Sequence, residues 1–402
     1  MTESEFIFPD ETKRPTRRGW LTKLVIGFTV VTGLVALAAG GGYVYVLSQL
    51  RASGIDVYST DGATYAPPTA AEIDGPINVL LIGSDTREGQ GSTAYGPVGN
   101  ALADVIILLH VSEDRKNAVA LSFPRDLMVE VPSCPNPDGG EPYPGSDLMQ
   151  INATMNNGGP ACTLLTIQEL TGVRIPYLAM IDFKGVIAMS EAVGGVTVCV
   201  AEPIQDQYTD LYLEAGEHTL IGEQALAFLR TRHGVGDGSD LSRISNQQVF
   251  LTSLVRKLKD EGALTNPFTM LKLGTAALEN MTLSNSLTSI RVILGMASEV
   301  NDVDLDKITF LKLPVYSMSG NYAGRVGLIE EQGQLLFEKL AQDQPLVLQE
   351  ANVGSGAVVA ETEEPSLSET VEASPDTSAT SSDEPLPDWV QGTNASVKSC
   401  SS

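Results

Sequence analysis

Three short runs constrain the fold before any other feature does. INVLLIG (77–83), DVIILLHV (104–111) and NAVALSF (117–123) are almost continuously apolar, β-branched and bounded by turn residues. A strand with one wet face alternates apolar and polar side chains, whereas a strand covered on both faces reads as an unbroken apolar run. These three therefore predict central strands with helices on either side. Candidate helices follow in TLLTIQELTG, DFKGVIAMSEAVGG, GEQALAFLRTR and SDLSRISNQQVFLTSLVRKLKDEG, where apolar residues recur three or four apart and a glycine stands near the end. PYLAMID, VTVCV and ITFLKLPV read as further strands, and 267–280 and 286–298 as further helices. This alternation predicts an α/β domain with a mixed central sheet covered by helices on both faces, spanning residues 76–342.

The two ends differ in kind from this domain. LVIGFTVVTGLVALAAGGGYVYVL (24–47) carries no charge, and at about 1.5 Å per helical residue it can cross a hydrocarbon layer of about 30 Å. It predicts one transmembrane helix. Lys13, Arg14, Arg17, Arg18 and Lys23 precede it and Arg51 follows, so residues 1–23 are expected in the cytoplasm and the bulk outside a cell membrane. A cleaved signal peptide is the competing reading, but its apolar core is usually only about 7–15 residues long. Residues 48–75, rich in Gly, Ser, Thr and Pro without periodicity, read as an extracytoplasmic stalk. Residues 343–402 hold eleven acidic side chains and one lysine among Ser, Thr, Pro and Ala, the composition of a disordered acidic tail. With so short a cytoplasmic segment, nucleic acid is not an expected partner.

Cysteine usage fits an exported chain, where disulfides persist. Cys134 and Cys162 bracket a loop rich in proline and glycine, and that pair is favoured over Cys162 with Cys199, which reads as a buried thiol in VTVCV. No two cysteines have the spacing of a zinc site.

Cations gather where the chain as a whole is acidic. The formal net charge is -25, yet Arg230, Arg232 and Arg243 lie within one stretch, LAFLRTRHGVGDGSDLSRISNQQ (226–248). Guanidinium groups match carboxylate or phosphate oxygens two at a time, so a local concentration of them predicts an anion site. Ser239 or Asp240 can cap the helix that follows, in which Arg243 and Gln247 share a face. His233, with no paired Ser or Cys motif, reads as a bystander. LIGSDTR places Asp85 and Arg87 at the carboxyl end of the first strand, Asp104 opens the second, and SFPRDL brings Arg125 and Asp126 to the end of the third. Open α/β sheets bind ligands at such strand ends. Two aspartates there suit Mg²⁺, which takes one or two carboxylates beside substrate phosphates. Arginines to absorb charge, a cation and a carboxylate near an attacking hydroxyl are the parts phosphoryl transfer needs. Asp85, Asp104 and Asp126 stay open as the general base.

Several motifs in series carry a resemblance. NVLLIGSDTR, ADVIILLHV, SFPRDLMVEVP, INATMNNGGPACT, IDFKGVIAMSEAVGGVTV and GEQALAFLRTRHGVGDGSDLSRISNQQ resemble, in order, the LytR-CpsA-Psr family of cell-envelope proteins over residues 76–260. The resemblance implies a phosphotransferase that moves a glycopolymer from a polyprenyl-diphosphate carrier to peptidoglycan with the help of Mg²⁺. It implies Asp85 and Asp104 as metal-binding, Arg125 as catalytic with them, and Arg87, Arg125, Arg230, Arg232, Arg243 and Gln247 as contacts to the diphosphate. Leu102, Gln150 and Asn246 stand where the family often has a cation. A polyprenyl tail would need an apolar groove, with Ile187, Met189, Phe228, Leu229, Phe250 and Leu254 as candidates for its wall. The alternatives are a pyrophosphatase acting on polyprenyl-diphosphate lipids and a non-catalytic scaffold that binds envelope lipid or polymer.

Overall fold

The computed structural model describes residues 54–64, 75–86, 101–348, 350–360 and 385–402. The expected membrane span at 24–47, its cytoplasmic flank and Arg87 lie outside the described residues. Among the described residues no helix is long and apolar enough to cross a membrane.

The three apolar runs become β1 (Ile77–Ser84), β2 (Ala103–Val111) and β3 (Ala118–Phe123), joined as an antiparallel meander. A side hairpin, β4 (Met128–Val131) with β5 (Ser146–Gln150), leads to helix α1 (Gly159–Thr171) and then β6 (Tyr177–Ile181), which pairs parallel to β1. Helix α2 (Phe183–Ala192) opens with Asp182 accepting from the Gly185 N–H at 2.7 Å, a cap that satisfies one orphan donor of its first turn. Strands β7 (Val196–Val200), β8 (Ile204–Asp206), β9 (Leu211–Leu213) and β10 (Gly216–Leu220) come next. Helices α3 (Glu223–Arg230), α4 (Asp240–Asp260) and α5 (Pro267–Asn280) are followed by β11 (Met281–Leu283), α6 (Ile290–Asp302), β12 (Ile308–Lys312), a hairpin of β13 (Val315–Ser317) and β14 (Val326–Leu328), and α7 (Glu330–Ala341). The last strands are β15 (Ala357–Val359), β16 (Gly392–Asn394) and β17 (Ser399–Ser401).

The main sheet runs β11-β6-β1-β2-β3-β12-β16 and is mixed, with β6 and β12 parallel to their neighbours β1 and β3. Alternate residues point to two separate cores. Leu80, Ile82, Leu108, Leu121 and Phe123 pack on Leu164 and Ile167 of α1 and on Leu336 and Phe337 of α7. Val79, Ile107 and Ala120 face Leu251 of α4, Leu278 of α5 and Val292 of α6. A one-residue slip would exchange the two faces, and both are apolar. Size decides the register: in β3 the first face takes Val119, Leu121 and Phe123 while the second has only Ala118 and Ala120.

Two terminal expectations need correction. The stalk is seated in part: Val57 is buried, Ile55 N–H donates to Leu283 O at 2.9 Å, and Gln168 Nε2 donates to Tyr58 O at 2.8 Å. One buried valine and a few backbone bonds leave no periodic trace. The tail is also not a uniform disordered arm. β16 pairs antiparallel to β12 at the edge of the main sheet, and β17 lies between β7 and β15 in a second sheet of order β10-β7-β17-β15. Averaging composition across the tail blended its acidic middle with two ends, one holding Leu346 and Ala357 and the other Leu386, Val390 and Cys400, all buried.

The favoured pair Cys134–Cys162 is bonded, across 28 residues, and Cys199 is bonded to Cys400 across 201. The reading of Cys199 as a lone buried thiol is thereby overturned. Spacing could not reveal a partner so distant, because β17 meets β7 only after the chain has circled the domain.

Candidate functional site

The candidate site side chains meet where β1 and β3 end and β2 and α4 begin. Asp85 is held at the rim of the sheet, its Oδ1 accepting from Leu102 N at 2.9 Å. Ser84 lies opposite Ala103, so Asp85 and Asp104 come from adjacent strand ends. Arg125, two residues past β3, donates through Nη1 to Asp104 Oδ1 at 2.5 Å. Arg243 reaches the same strand end from α4, its Nη2 donating to Asp104 O at 2.7 Å.

Asp240 is the common counter-ion. Ser239 caps α4, accepting from Ser242 N at 3.2 Å, which leaves the Asp240 side chain to turn inward within the first helical turn. Its Oδ1 lies 2.6 Å from Arg243 Nη2, 3.4 Å from Arg125 Nε and 3.8 Å from Arg232 Nη2. A carboxylate is favoured at a helix N-terminus, and here it also balances three guanidinium groups. The alignment is poor: both Asp240 oxygens, Arg125 Nε and Arg243 Nε are buried without a hydrogen-bond partner. Buried polar atoms left so are rare in folded proteins and mark strain or a functional role.

Burial pushes Arg243 down to about 10 against the pull of Asp240, so it remains a cation at neutral pH. Burial acts the same way on Arg125, but Asp104, Asp240 and Asp126 outweigh it and its pKa is raised. Both groups are therefore fixed charges in a partly dry setting, where electrostatic interactions are stronger than in water.

Beside this cluster an apolar cavity of about 330 Å³ opens between the sheet and α2, α3, α4 and α5. Leu81, Ile107, Val186, Met189, Leu229 and Leu254 are among its walls, and Asp104, Arg230, Arg243 and Gln247 line it as well. Of the residues expected to form a groove, Met189, Leu229, Phe250 and Leu254 do so. Phe228 does not: it is fully buried in the core between α4 and the second sheet, and Ile187 is not in the lining either. Arg230 sits 4.4 Å above the Phe183 ring, a cation–π contact worth about 0.5–2 kcal/mol that orients it at the cavity wall. Gln247 Nε2 donates to Leu229 O at 3.0 Å.

Arg125, Arg230, Arg232, Arg243, Gln247 and Asp104 thus converge as the sequence suggested. Residues that the sequence reading missed complete the picture. Asp240 was read only as a possible cap. Arg325 reaches Asp126 at 3.3 Å from the turn before β14, and Gln150 Nε2 donates to the same oxygen at 2.6 Å. Asp206 accepts from Thr231 Oγ1 at 2.7 Å and from Arg232 N at 3.1 Å. Burial would raise its pKa, but these bonds and those from Tyr208 and His233 lower it. No local pattern marks Asp206 or Arg325; only the fold brings them near.

Asp85 and Asp104 are hard oxygen donors from neighbouring strands, a set that fits Mg²⁺ with its remaining positions filled by water and phosphate. Among the described residues no group of three or more His, Cys, Asp or Glu side chains converges on one point.

The LytR_cpsA_psr family matches residues 45–336. The chain belongs to that family. It is 28% identical to the cell wall biosynthesis protein LcpA of Corynebacterium glutamicum over 320 residues, which cover 74% of this chain and 60% of that one. The chain thus spans less than two thirds of LcpA. It is 29% identical over 260 residues to the polyisoprenyl-teichoic acid–peptidoglycan teichoic acid transferase TagT of Bacillus subtilis, covering 61% of this chain and 75% of TagT. The crystal structure of B. subtilis TagV superposes with a TM-score of 0.52 at 21% identity, covering 68% of this chain and 98% of that one. That likeness shows the fold: a mixed central sheet in an α/β domain.

Proposed function

We propose that this family member transfers a glycopolymer from a polyprenyl-diphosphate carrier to peptidoglycan, from the outer face of the cell membrane. One observation carries the reading: Arg243, whose Nε is buried without a hydrogen-bond partner, lines the apolar cavity, and Arg125, unsatisfied in the same way, shares Asp104 and Asp240 with it. A lipid diphosphate has the matching parts, an apolar tail for the cavity and a compact anion for the arginines. The names of TagT and LcpA agree with this class of substrate and process.

In this mechanism Arg125 and Arg243 hold the diphosphate oxygens, with Arg230 and Arg232 at the flanks and Gln247 lining the passage to the tail. The acceptor hydroxyl attacks the phosphorus that bears the glycan. A new O–P bond forms, the bridging P–O bond breaks, and polyprenyl phosphate leaves with the electron pair. The acceptor's proton passes to a carboxylate at the strand ends, Asp85, Asp104 or Asp126. Mg²⁺, held by Asp85 and Asp104, would supply further neutralisation of phosphate charge. Preorganised cations aimed at developing charge are worth about 10²–10³ in rate per group.

The test is transfer by the full-length protein in detergent, supplied with a polyprenyl-diphosphate oligosaccharide, peptidoglycan and Mg²⁺. Linked product should form, and Arg125→Ala should lower its rate by about 10²–10³-fold. Equal rates for variant and wild type would sink the proposal. Phosphate release without acceptor would point to the hydrolase alternative, and binding indifferent to Mg²⁺ and to loss of Asp85 and Asp104 would point to the scaffold.

A further inference from the structure

Between β7 and α3 lies a surface that the phosphate chemistry does not use. β8 and β9 pair as a short antiparallel hairpin with Gln205 opposite Tyr212. Ile204, Leu211 and Leu213 turn into the core, so Tyr212 is left on the outer face, 61% exposed, and Tyr208 in the turn is 70% exposed. His233 packs on Tyr208, their ring centroids 4.6 Å apart. Large rings set in water cost hydrophobic stabilisation, and grouped exposed ones mark recognition surfaces.

The rings are indexed to the arginine cluster. The Asp206 carboxylate closing β8 accepts from Thr231 Oγ1, Arg232 N and His233 N at 2.7, 3.1 and 3.3 Å. A Cβ on Gly234 would come within 2.9 Å of Ile204 Cγ2, so the turn after α3 lies tight against the hairpin. The aromatic surface is thereby fixed one residue from Arg232, whose guanidinium faces Asp240. Around it stand Gln205, Asp210 and Glu214, all exposed, with Tyr212 Oη donating to Glu214.

This chemistry selects its occupant. Flat rings stack on the C–H faces of pyranoses, and amide and carboxylate oxygens accept from sugar hydroxyls. Exposed carboxylates repel a phosphate-rich polymer. We propose that Tyr208, His233 and Tyr212 form a platform for neutral sugar rings of the donor glycan, next outward from its diphosphate. The inference rests on the function proposed above and narrows its substrate to an uncharged glycan.

Three short-chain prenyl diphosphates test it on the full-length protein in detergent micelles: one bare, one bearing a neutral disaccharide and one bearing a glycerol-phosphate oligomer. Wild type should bind the neutral-glycan lipid tightest. The double variant Tyr208→Ala, Tyr212→Ala should weaken that binding about tenfold and leave bare-lipid binding unchanged, which also reports that the variant is folded. Undiminished binding of the neutral-glycan lipid overturns the platform and leaves the phosphotransferase reading standing. Tighter binding of the glycerol-phosphate lipid by wild type overturns the preference for neutral sugar. If wild type binds none of the three, the phosphotransferase reading falls and the platform with it.

Discussion

Asp240 shows how a single carboxylate organises the site and why it was hard to find. One acidic residue in a chain with 50 of them carries no signal, and the three arginines it balances come from separate loops and helices. Removing one partner of a buried ion pair typically costs about 3–5 kcal/mol. The Asp240 side chain is 12% exposed, so Asp240→Asn should destabilise by about 3 kcal/mol in urea unfolding. Inorganic diphosphate should then raise the melting temperature of the variant more than that of wild type, because the anion replaces the missing charge. Equal shifts would mean that the arginines are not open to a ligand. Arg232 and Arg243 were legible because they cluster along the chain against an acidic background, and Arg125 because it follows a buried apolar strand.

Lys312 makes a second prediction at this scale. It is buried at the end of β12, with Nζ donating to Ser245 Oγ at 2.5 Å and to Val353 O at 2.8 Å. Desolvation pushes its pKa down to about 8 from 10.5, against the pull of Asp237. Between those values the unfolded chain binds a proton that the folded one has lost, so this group makes stability rise with pH from about 8 to 10.5. Arg243 begins to contribute only near 10. Denaturant titrations between pH 8 and 10 should therefore show a rise that flattens in Lys312→Met. An unchanged slope in the variant would assign the rise to another group.

At the scale of elements, the meander β1–β3 was readable because each strand is buried on both faces, and α4 because its apolar period and its cap agree. The tail was not, since a three-residue strand such as β17 has no period to detect. Yet β17 matters to the site. Ser401 Oγ donates to Asn246 Oδ1 at 2.5 Å, and Asn246 Nδ2 donates to Phe228 O at 2.6 Å. Ser402 O accepts from Gly236 N at 2.7 Å. The end of the chain thus braces both the helix that carries Arg243 and the turn between α3 and α4. The Cys199–Cys400 bond holds that brace across 201 residues, and native disulfides typically contribute about 2–4 kcal/mol, more for longer loops. Cys400→Ser should lose that much in urea unfolding. Amide exchange should quicken first in the turn at 232–239 and the start of α4, while β1–β3 keep their protection. Faster exchange spread evenly over the domain would show that the bond stabilises the whole fold without bracing the site.

At the scale of the whole molecule, net charge and the proposed anchoring pull against each other. A chain of net charge -25 is repelled by anionic lipid surfaces, and the repulsion fades beyond about 8–10 Å at physiological salt. Electrostatics therefore cannot hold the domain near the lipid-borne donor proposed above; under that proposal the apolar run at 24–47 would have to, by the insertion its length permits. The described residues beyond 52 form one compact unit, so a form lacking residues 1–52 should fold, remain in solution and fail to sediment with anionic vesicles at low or physiological salt. Its turnover of a donor embedded in vesicles should fall by at least about tenfold. With the same donor dispersed in detergent, truncated and full-length protein should turn over alike, because the arginines, the cavity and the strand-end carboxylates all lie within the retained unit. Sedimentation of the truncated form with vesicles would place the membrane contact on the domain itself. Loss of turnover in detergent as well would show that the first 52 residues take part in the site.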